Sequence, residues 1–456
     1  MREPFGRDFF FAYLKCFLLS SQKKCSRYWP DDGVEEFEDI AIRLMSTHVF
    51  AEYTIRHLRL NKDGEPFRYL THAGVGRTGT FIGLCNLLQE ADATGHMDFR
   101  ATLWKLRQDR MNTIQTVEQY IYLHRMALVG HMISNTTIQF NKMNNHLSSL
   151  ESEKGASNST HSYEQEFETL VDVCDATMSK VSESSEEEEG NNVYQNIKDV
   201  GKDRLKNILP NPNYRPKLRA TKHHKDTYIN AVLVPNLTKD RQDILTQLPL
   251  PTTVTDFWRL VTQYNVELIV AFDTDPEHAD ETTGGFIPKN ETEPFENESY
   301  IVESKPGTER GLATEISLTV QQKDMSGLAS SSKQTKKTLT LLQCKCLETD
   351  PTSVLKLQEV IQYHRPVNNS RTIYMCRNGA DKSGLMCIHS ILLERMKLDQ
   401  VLTVPLVVGK IKAIRPQVIP TVDQYKSLYR VLKLALDSQN VYGNVGNMPG
   451  LASVPF

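Results

Sequence analysis

The chain has 456 residues, a length that predicts roughly two or three domains at about 100–200 residues each. With 39% hydrophobic and 24% charged residues it can build packed cores, and a net charge of −3 offers no basic field for nucleic acid. No run approaches the ~20 apolar residues of a membrane-spanning helix. The eight cysteines are scattered, with Cys344 and Cys346 too close for an ordinary zinc pair, and read as reduced thiols of a cytoplasmic protein.

Residues 1–23 contain "FFFAYLKCFLL" (Phe9 to Leu19), preceded by Arg2 and Arg7 and interrupted by Lys15. This reads as an N-terminal stub, buried or disordered, with a signal-peptide core as the alternative. After "KCSRYWPDD", "AEYTIRHLRL" and "FRYLTH" comes "AGVGRTGTFIGLCNLL" from Ala73, a glycine-rich turn with Arg77 at its end. Phe81, Ile82, Leu84, Cys85, Leu87 and Leu88 then recur at helical spacing. A glycine turn opening a helix aims backbone N–H groups and a helix N-terminus at an anion. Ala73, Gly74, Val75, Gly76, Arg77 and Thr78 are therefore phosphate-binding candidates, yet His72 is the only reactive side chain before them.

Residues 136–200 are rich in Asn, Ser, Glu and Gly around the acidic run "SESSEEEEG" (Ser182 to Gly190). Like charges without apolar periodicity predict a solvated linker, with phosphorylation of the serines as the alternative. Beyond it lie "KDRLKNILP" (Lys202 to Pro210), "DTYINA" (Asp226 to Ala231) and "ILTQLPLPTTVTDFWRLV" (Ile244 to Val261). The polar stretch from Ser304 to Lys337 reads as a long loop, or as strands joined by one.

"RTIYM" (Arg371 to Met375) reads as a short buried strand leading into "MCRNGADKSG". Cys376 stands at the mouth of this second loop, where N–H groups, a helix dipole and a nearby cation would stabilise a thiolate. Such a thiolate attacks phosphorus while the cation holds the oxygens. Arg377, Asn378, Gly379, Ala380, Lys382 and Ser383 are the phosphate-binding candidates, and the Ser383 hydroxyl could assist release. Leu385, Met386, Ile388, Ile391, Leu392 and Met396 continue as a helix.

The two loops repeat one another. Arg77 aligns with Lys382, Thr78 with Ser383 and Gly79 with Gly384. "TVEQY" (Thr116 to Tyr120) matches "TVDQY" (Thr421 to Tyr425), and Arg110 matches Arg415. All of these pairs are 305 positions apart without a gap, so the chain reads as two copies of one fold.

Both loops resemble the phosphate-binding loop H-C-S-A-G-x-G-R-[ST]-G of the protein tyrosine phosphatases, and tandem copies resemble the cytoplasmic half of a receptor-type member. The motifs quoted between Lys202 and Val261 are similar to the N-terminal motifs of that domain, and "KCSRYWPDD" and "AEYTIRHLRL" to its central strands. The resemblance implies an α/β fold, a twisted mixed sheet flanked by helices, in one truncated and one near-complete copy. It divides the chain into a stub (1–23), a truncated domain (24–135), a linker (136–162), a second domain (163–440) and a tail (441–456). It implies phosphotyrosine proteins or other signalling proteins as partners, no cofactor or metal, and a cytoplasmic location, although family members are often membrane-anchored. It also makes Gln115, Gln119 and Gln424 candidates for the water-positioning loop.

Departures from the pattern bear on activity. In the first copy Thr71 and His72 stand where Cys and Ser are expected, and the acid loop is missing. Trp29-Pro30-Asp31 spells the acid-loop motif, but its neighbours place it in another element. In the second copy Met375 replaces the helper histidine, and Lys382 replaces an arginine fork that grips two oxygens. Asp381 replaces glycine, Leu205 the substrate-stacking tyrosine, Leu248 a glycine and Pro420 the first glutamine. Glu348 in "KCLETDP" is a weak candidate acid. The expectation is a catalytically impaired pseudophosphatase with a regulatory or scaffolding role. The alternatives are an active phosphatase with a cysteinyl-phosphate at Cys376, or a fragment without independent function.

Overall fold

Thr372 to Cys376 are all buried, the near-continuous pattern of a strand covered on both faces of a parallel sheet. The computed structural model describes residues 33–37, 40–49, 54–61, 75–133, 136, 138–139, 142–151, 162–183, 201–221, 224–236, 242–274, 283–289, 292–323, 336–345, 350–366, 370–398 and 401–445. Two compact units divide the chain at Thr137 and Ile138.

In the first unit, strands β1 (Val34–Phe37), β2 (Ile40–Val49) and β3 (Thr54–Asn61) form an antiparallel sheet in that order. Helices α1 (Arg77–Thr94), α2 (Phe99–Asp109) and α3 (Val117–Ile133) follow. α1 stops at Gly95, whose left-handed φ of 75° lets its N–H reach the Ala91 carbonyl at 2.9 Å. The Asp98 carboxylate caps α2 by accepting from the Ala101 N–H at 2.8 Å. α1 and α3 pack together, burying Leu84, Leu87, Leu123, Met126 and Ala127. Each of these leucine and methionine side chains contributes about 1.5–3 kcal/mol when removed from water.

The second unit contains β4 (Ile138–Gln139), α4 (Met143–Glu151), α5 (Tyr163–Glu183), β5 (Ala231–Pro235), β6 (Gln242–Gln247), α6 (Val254–Gln263) and β7 (Val266–Ala271). It continues with β8 (Phe295–Glu296), β9 (Tyr300–Ser304), β10 (Thr308–Arg310), β11 (Ala313–Gln322), β12 (Lys336–Cys344), α7 (Pro351–His364) and β13 (Arg371–Cys376). α8 (Asp381–Leu398), β14 (Val401–Leu402), α9 (Val404–Lys412) and α10 (Val422–Val445) complete it.

Its nine-stranded sheet runs β5-β6-β13-β7-β12-β11-β9-β8, with β10 paired to β11. The central β6, β13, β7 and β12 are mutually parallel, and the outer pairings are antiparallel. The fold is thus α/β, a mixed sheet flanked by helices. α8 packs on β13 and β6, and α6 on β7, over a core that includes Trp258, Phe257, Ile269, Ile373 and Met375. Because β6, β13 and β7 run the same way, whatever follows each strand meets at one edge, where open α/β sheets hold ligands.

Part of the stretch expected to be solvated, 136–200, is instead packed helix. α4 buries Leu147 and Leu150, and α5 buries Tyr163, Leu170, Val173 and Cys174 at helical spacing. Glu166, 8% exposed, accepts a hydrogen bond at 2.5 Å from the Tyr425 hydroxyl and another from Tyr429, both on α10. A carboxylate that looks solvated in sequence is satisfied by hydroxyls 259 and 263 residues away. Of the acidic run, Ser182 and Glu183 end α5, and 184–190 lie outside the described residues. The polar stretch from Ser304 holds strands β10 and β11, and its end at Lys336 begins β12. No helix among the described residues is long and apolar enough to cross a membrane.

Candidate functional site

Cys376 is the last residue of β13, 1% exposed. Its Sγ lies 3.1 Å from the Ser383 Oγ and 3.3 Å from the Asn378 Oδ1. The Cys376 carbonyl accepts from the N–H groups of Leu248 (2.8 Å) and Gly379 (3.2 Å), tying the loop to the end of β6. Gly379 adopts φ +71°, and a Cβ there would collide with the backbone of Thr246 and Gln247. Glycine alone fits that turn. Behind the loop, the fully buried Arg415 donates from Nε to the Gly379 carbonyl (3.0 Å) and from Nη1 to the Asn230 Oδ1 (2.8 Å). Burial pushes this guanidinium down to about 10, partly offset by Cys376, Tyr228 and Asp203 nearby. Asn230 in turn donates to Asp203 at 2.7 Å, which also accepts from the Tyr228 hydroxyl at 2.5 Å.

In front of the loop is a cavity of about 520 Å³ lined by both charge signs: Asp203, Asp273 and Asp381 against Arg204, Arg377 and Lys382. Leu205 and Leu250 supply its apolar wall, and Leu205 is 42% exposed. The Lys382 ammonium is ion-paired with the Asp273 carboxylate, whose other oxygen accepts from the Arg377 N–H at 3.1 Å. Asp381 accepts from the Gln424 side chain. The Asn378 Oδ1 accepts from the N–H groups of Ala380 and Asp381, each at 3.0 Å. An incoming phosphate dianion therefore meets three carboxylates, two guanidinium groups, a lysine already paired with Asp273, and N–H groups of Arg377, Ala380 and Asp381 that already have acceptors.

The residues expected from sequence in the second loop, Cys376 to Ser383, do converge with Gln424, and Leu205 lies on the cavity wall. Glu348 lies outside the described residues, as do Ala73, Gly74 and Trp29-Pro30-Asp31. Sequence reasoning missed Asp273, Asn230 and the Arg415 contact. A signal for Asp273 existed, since it follows the apolar strand "VELIVA" at an edge where such strands hold ligands.

The first loop is seen from Val75 onward. Gly76 precedes α1, and its carbonyl accepts from the Thr80 N–H (3.0 Å) and hydroxyl (3.1 Å). Arg77 and Thr78 begin the helix, with Arg77 exposed. A Cβ on Gly76 would lie 2.9 Å from the Gln115 Oε1 and 3.0 Å from the Gln119 Nε2. Gln119 also accepts from the Gln115 N–H at 2.8 Å. These glutamines therefore pack on the loop as Gln424 reaches Asp381 in the second unit. Gly79 abuts Thr113, and Gly384 abuts Val418. Ile114 and Ile419 both hold a positive φ, 58° and 47°, a rare state for a β-branched residue.

A family model described as "Protein-tyrosine phosphatase" matches residues 61–129 and 199–433. The chain is 24% identical to "Receptor-type tyrosine-protein phosphatase U" of Gallus gallus, over 91% of this chain and 31% of that protein. It is 21% identical to the human "Receptor-type tyrosine-protein phosphatase alpha", over 92% of this chain and 56% of that protein. To the human "Receptor-type tyrosine-protein phosphatase zeta" the identity is 24%, over 90% of this chain and 19% of that protein. The chain thus spans between 19% and 56% of the length of these relatives.

Proposed function

The chain belongs to the protein-tyrosine phosphatase family, with receptor-type relatives, and from that premise we propose that it is a regulatory or scaffolding pseudophosphatase. It is built from two copies of the domain, the first truncated, and binds phosphotyrosine proteins or other signalling proteins in the cytoplasm. The matched packing of Gly79 on Thr113 and Gly384 on Val418, 305 positions apart, supports the two-copy reading.

One observation supports the inactive reading above the others: the Lys382 ammonium is paired with Asp273, and Asp381 lines the same cavity. Phosphoryl transfer to sulfur needs a thiolate in line with the leaving oxygen, a forked cation on the equatorial oxygens and an acid for the tyrosine oxygen. A lysine already paired with a carboxylate does not supply the fork. Losing such a group costs on the order of 2–4 kcal/mol of transition-state stabilisation, or roughly 10²–10³ in rate. Hydrolysis of para-nitrophenyl phosphate by the full chain tests this reading. The expected rate is that of a Cys376→Ser control, and turnover that vanishes in that control sinks the proposal. A phosphotyrosine-peptide titration on the same protein then separates a phospho-reader from a plain scaffold.

The Ser383 hydroxyl 3.1 Å from the Cys376 sulfur favours a second reading, an active phosphatase. There the sulfur bonds to phosphorus, the tyrosine oxygen leaves with a proton, and water later releases phosphate from the sulfur. The same control distinguishes the two.

A further inference from the structure

We propose that the second loop is closed by the chain itself: the Asn378 carboxamide oxygen fills the N–H cradle where an oxyanion oxygen would sit, and the Asp273 carboxylate holds the cation. The inference deepens the pseudophosphatase reading, resting on it for the nature of the cradle. It gives the pocket a reason to reject phosphate: the N–H groups of Arg377, Gly379, Ala380 and Asp381 are present but already have acceptors.

The hydrogen bonds of the loop carry the argument. The N–H groups of Ala380 and Asp381 both point at the Asn378 Oδ1, at 3.0 Å each. The Arg377 N–H points at Asp273, and the Gly379 N–H is turned back to the Cys376 carbonyl. The same Asn378 oxygen lies 3.3 Å from the Cys376 Sγ, so it stands between the sulfur and the cradle that would orient its substrate. The backbone is not free to move away. Gly379 is wedged against Gln247 and Thr246, and its carbonyl is held by the buried Arg415. Opening therefore needs only two side-chain events: Asn378 rotates out, and Asp273 releases Lys382. Hydrogen bonds to an ionised acceptor are stronger than those to an amide oxygen, so an oxyanion outcompetes Asn378 once the neighbouring carboxylate is neutralised.

Tungstate, a tetrahedral oxyanion, is the probe, titrated calorimetrically into the full-length chain. The wild type should show no saturable binding up to about 10 mM, and the double variant Asn378→Ala/Asp273→Asn should bind at least roughly tenfold more tightly. Asn378→Asp, which keeps an oxygen acceptor at the same reach, should remain closed. Thermal unfolding of each variant confirms that the fold survives. Two results overturn the closure: a wild type that binds tungstate as tightly as the double variant, or a folded double variant that gains nothing. Turnover of para-nitrophenyl phosphate in the same samples separates the two claims. Tight wild-type tungstate binding without turnover removes the closure and leaves the pseudophosphatase reading standing. Cys376-dependent wild-type turnover removes the pseudophosphatase reading, whatever tungstate does.

Discussion

Asp273 and Lys382 form an ion pair at the rim of the cavity, joining the residues that follow β7 to the first turn of α8. The pair holds together two segments 109 residues apart and engages the Lys382 ammonium. Both side chains keep partial solvent access, 26% for Asp273 and 32% for Lys382.

That exposure limits what the pair contributes to stability. Screened pairs of this kind contribute about 0–1 kcal/mol. Asp273→Asn should therefore shift the urea unfolding free energy by less than about 1 kcal/mol. A loss several times larger would mean that the pair clamps the fold rather than the site.

Lys382→Arg combined with Asp381→Gly, introduced together with Asn378→Ala and Asp273→Asn so that the cradle is open, should move the second loop toward a working one. The arginine supplies a fork that grips two oxygens, and the glycine removes a carboxylate from the dianion's path. We expect para-nitrophenyl phosphate turnover to rise by at least roughly tenfold, with the increase abolished by adding Cys376→Ser. Initial rates unchanged from wild type would show that those positions are not what limits the chemistry.

Gly379→Ala tests how tightly the loop is seated. The added methyl group would enter the backbone of β6 at a φ of +71°, and it would lie 2.9 Å from the Arg415 Nη2. Strain of this kind costs about 1–3 kcal/mol. Equilibrium urea denaturation should show a loss in that range, whereas Gly311→Ala, at φ +67° with open space around it, should show the smaller backbone share alone.

His389 should set an acid limit on stability. It is fully buried on α8, neither ring nitrogen has a hydrogen-bond partner among the described residues, and burial pushes its pKa down to about 3. The unfolded chain protonates this ring below about pH 6.5, and the folded chain does so only near 3. Stability is therefore undiminished above pH 6.5 and falls as the pH drops toward 3. By pH 5 the loss amounts to about 2 kcal/mol. His389→Leu should remove that part of the slope when urea unfolding is compared at pH 7 and pH 5, and an unchanged slope would clear His389 of the effect.

How much of this was legible in the sequence follows from the distance over which each feature acts. A glycine turn, the apolar period after it and a short buried strand are local, so "AGVGRTG", "RTIYM" and the helices α1 and α8 could be read from the residue order. The repeat at 305 positions needed only two segments laid side by side, and the geometry at Ile114 and Ile419 follows it. The substitutions at Lys382 and Asp381 were also visible one residue at a time.

The partners of those residues were decided by tertiary structure. Asp273 meets Lys382 because β7 and β13 are parallel neighbours whose carboxyl ends share one edge. Arg415 reaches Asn230 across 185 residues, and Glu166 finds Tyr425 across 259. A periodicity argument sees which face a residue occupies, and it cannot see what the folded chain brings opposite that face. Composition marked Glu166 as solvated because exposed glutamates are common, whereas α5 lies where two tyrosine hydroxyls can satisfy a carboxylate. The order of the residues thus set the loop and its departures from the family pattern, and the packing of distant strands and helices set which groups surround it.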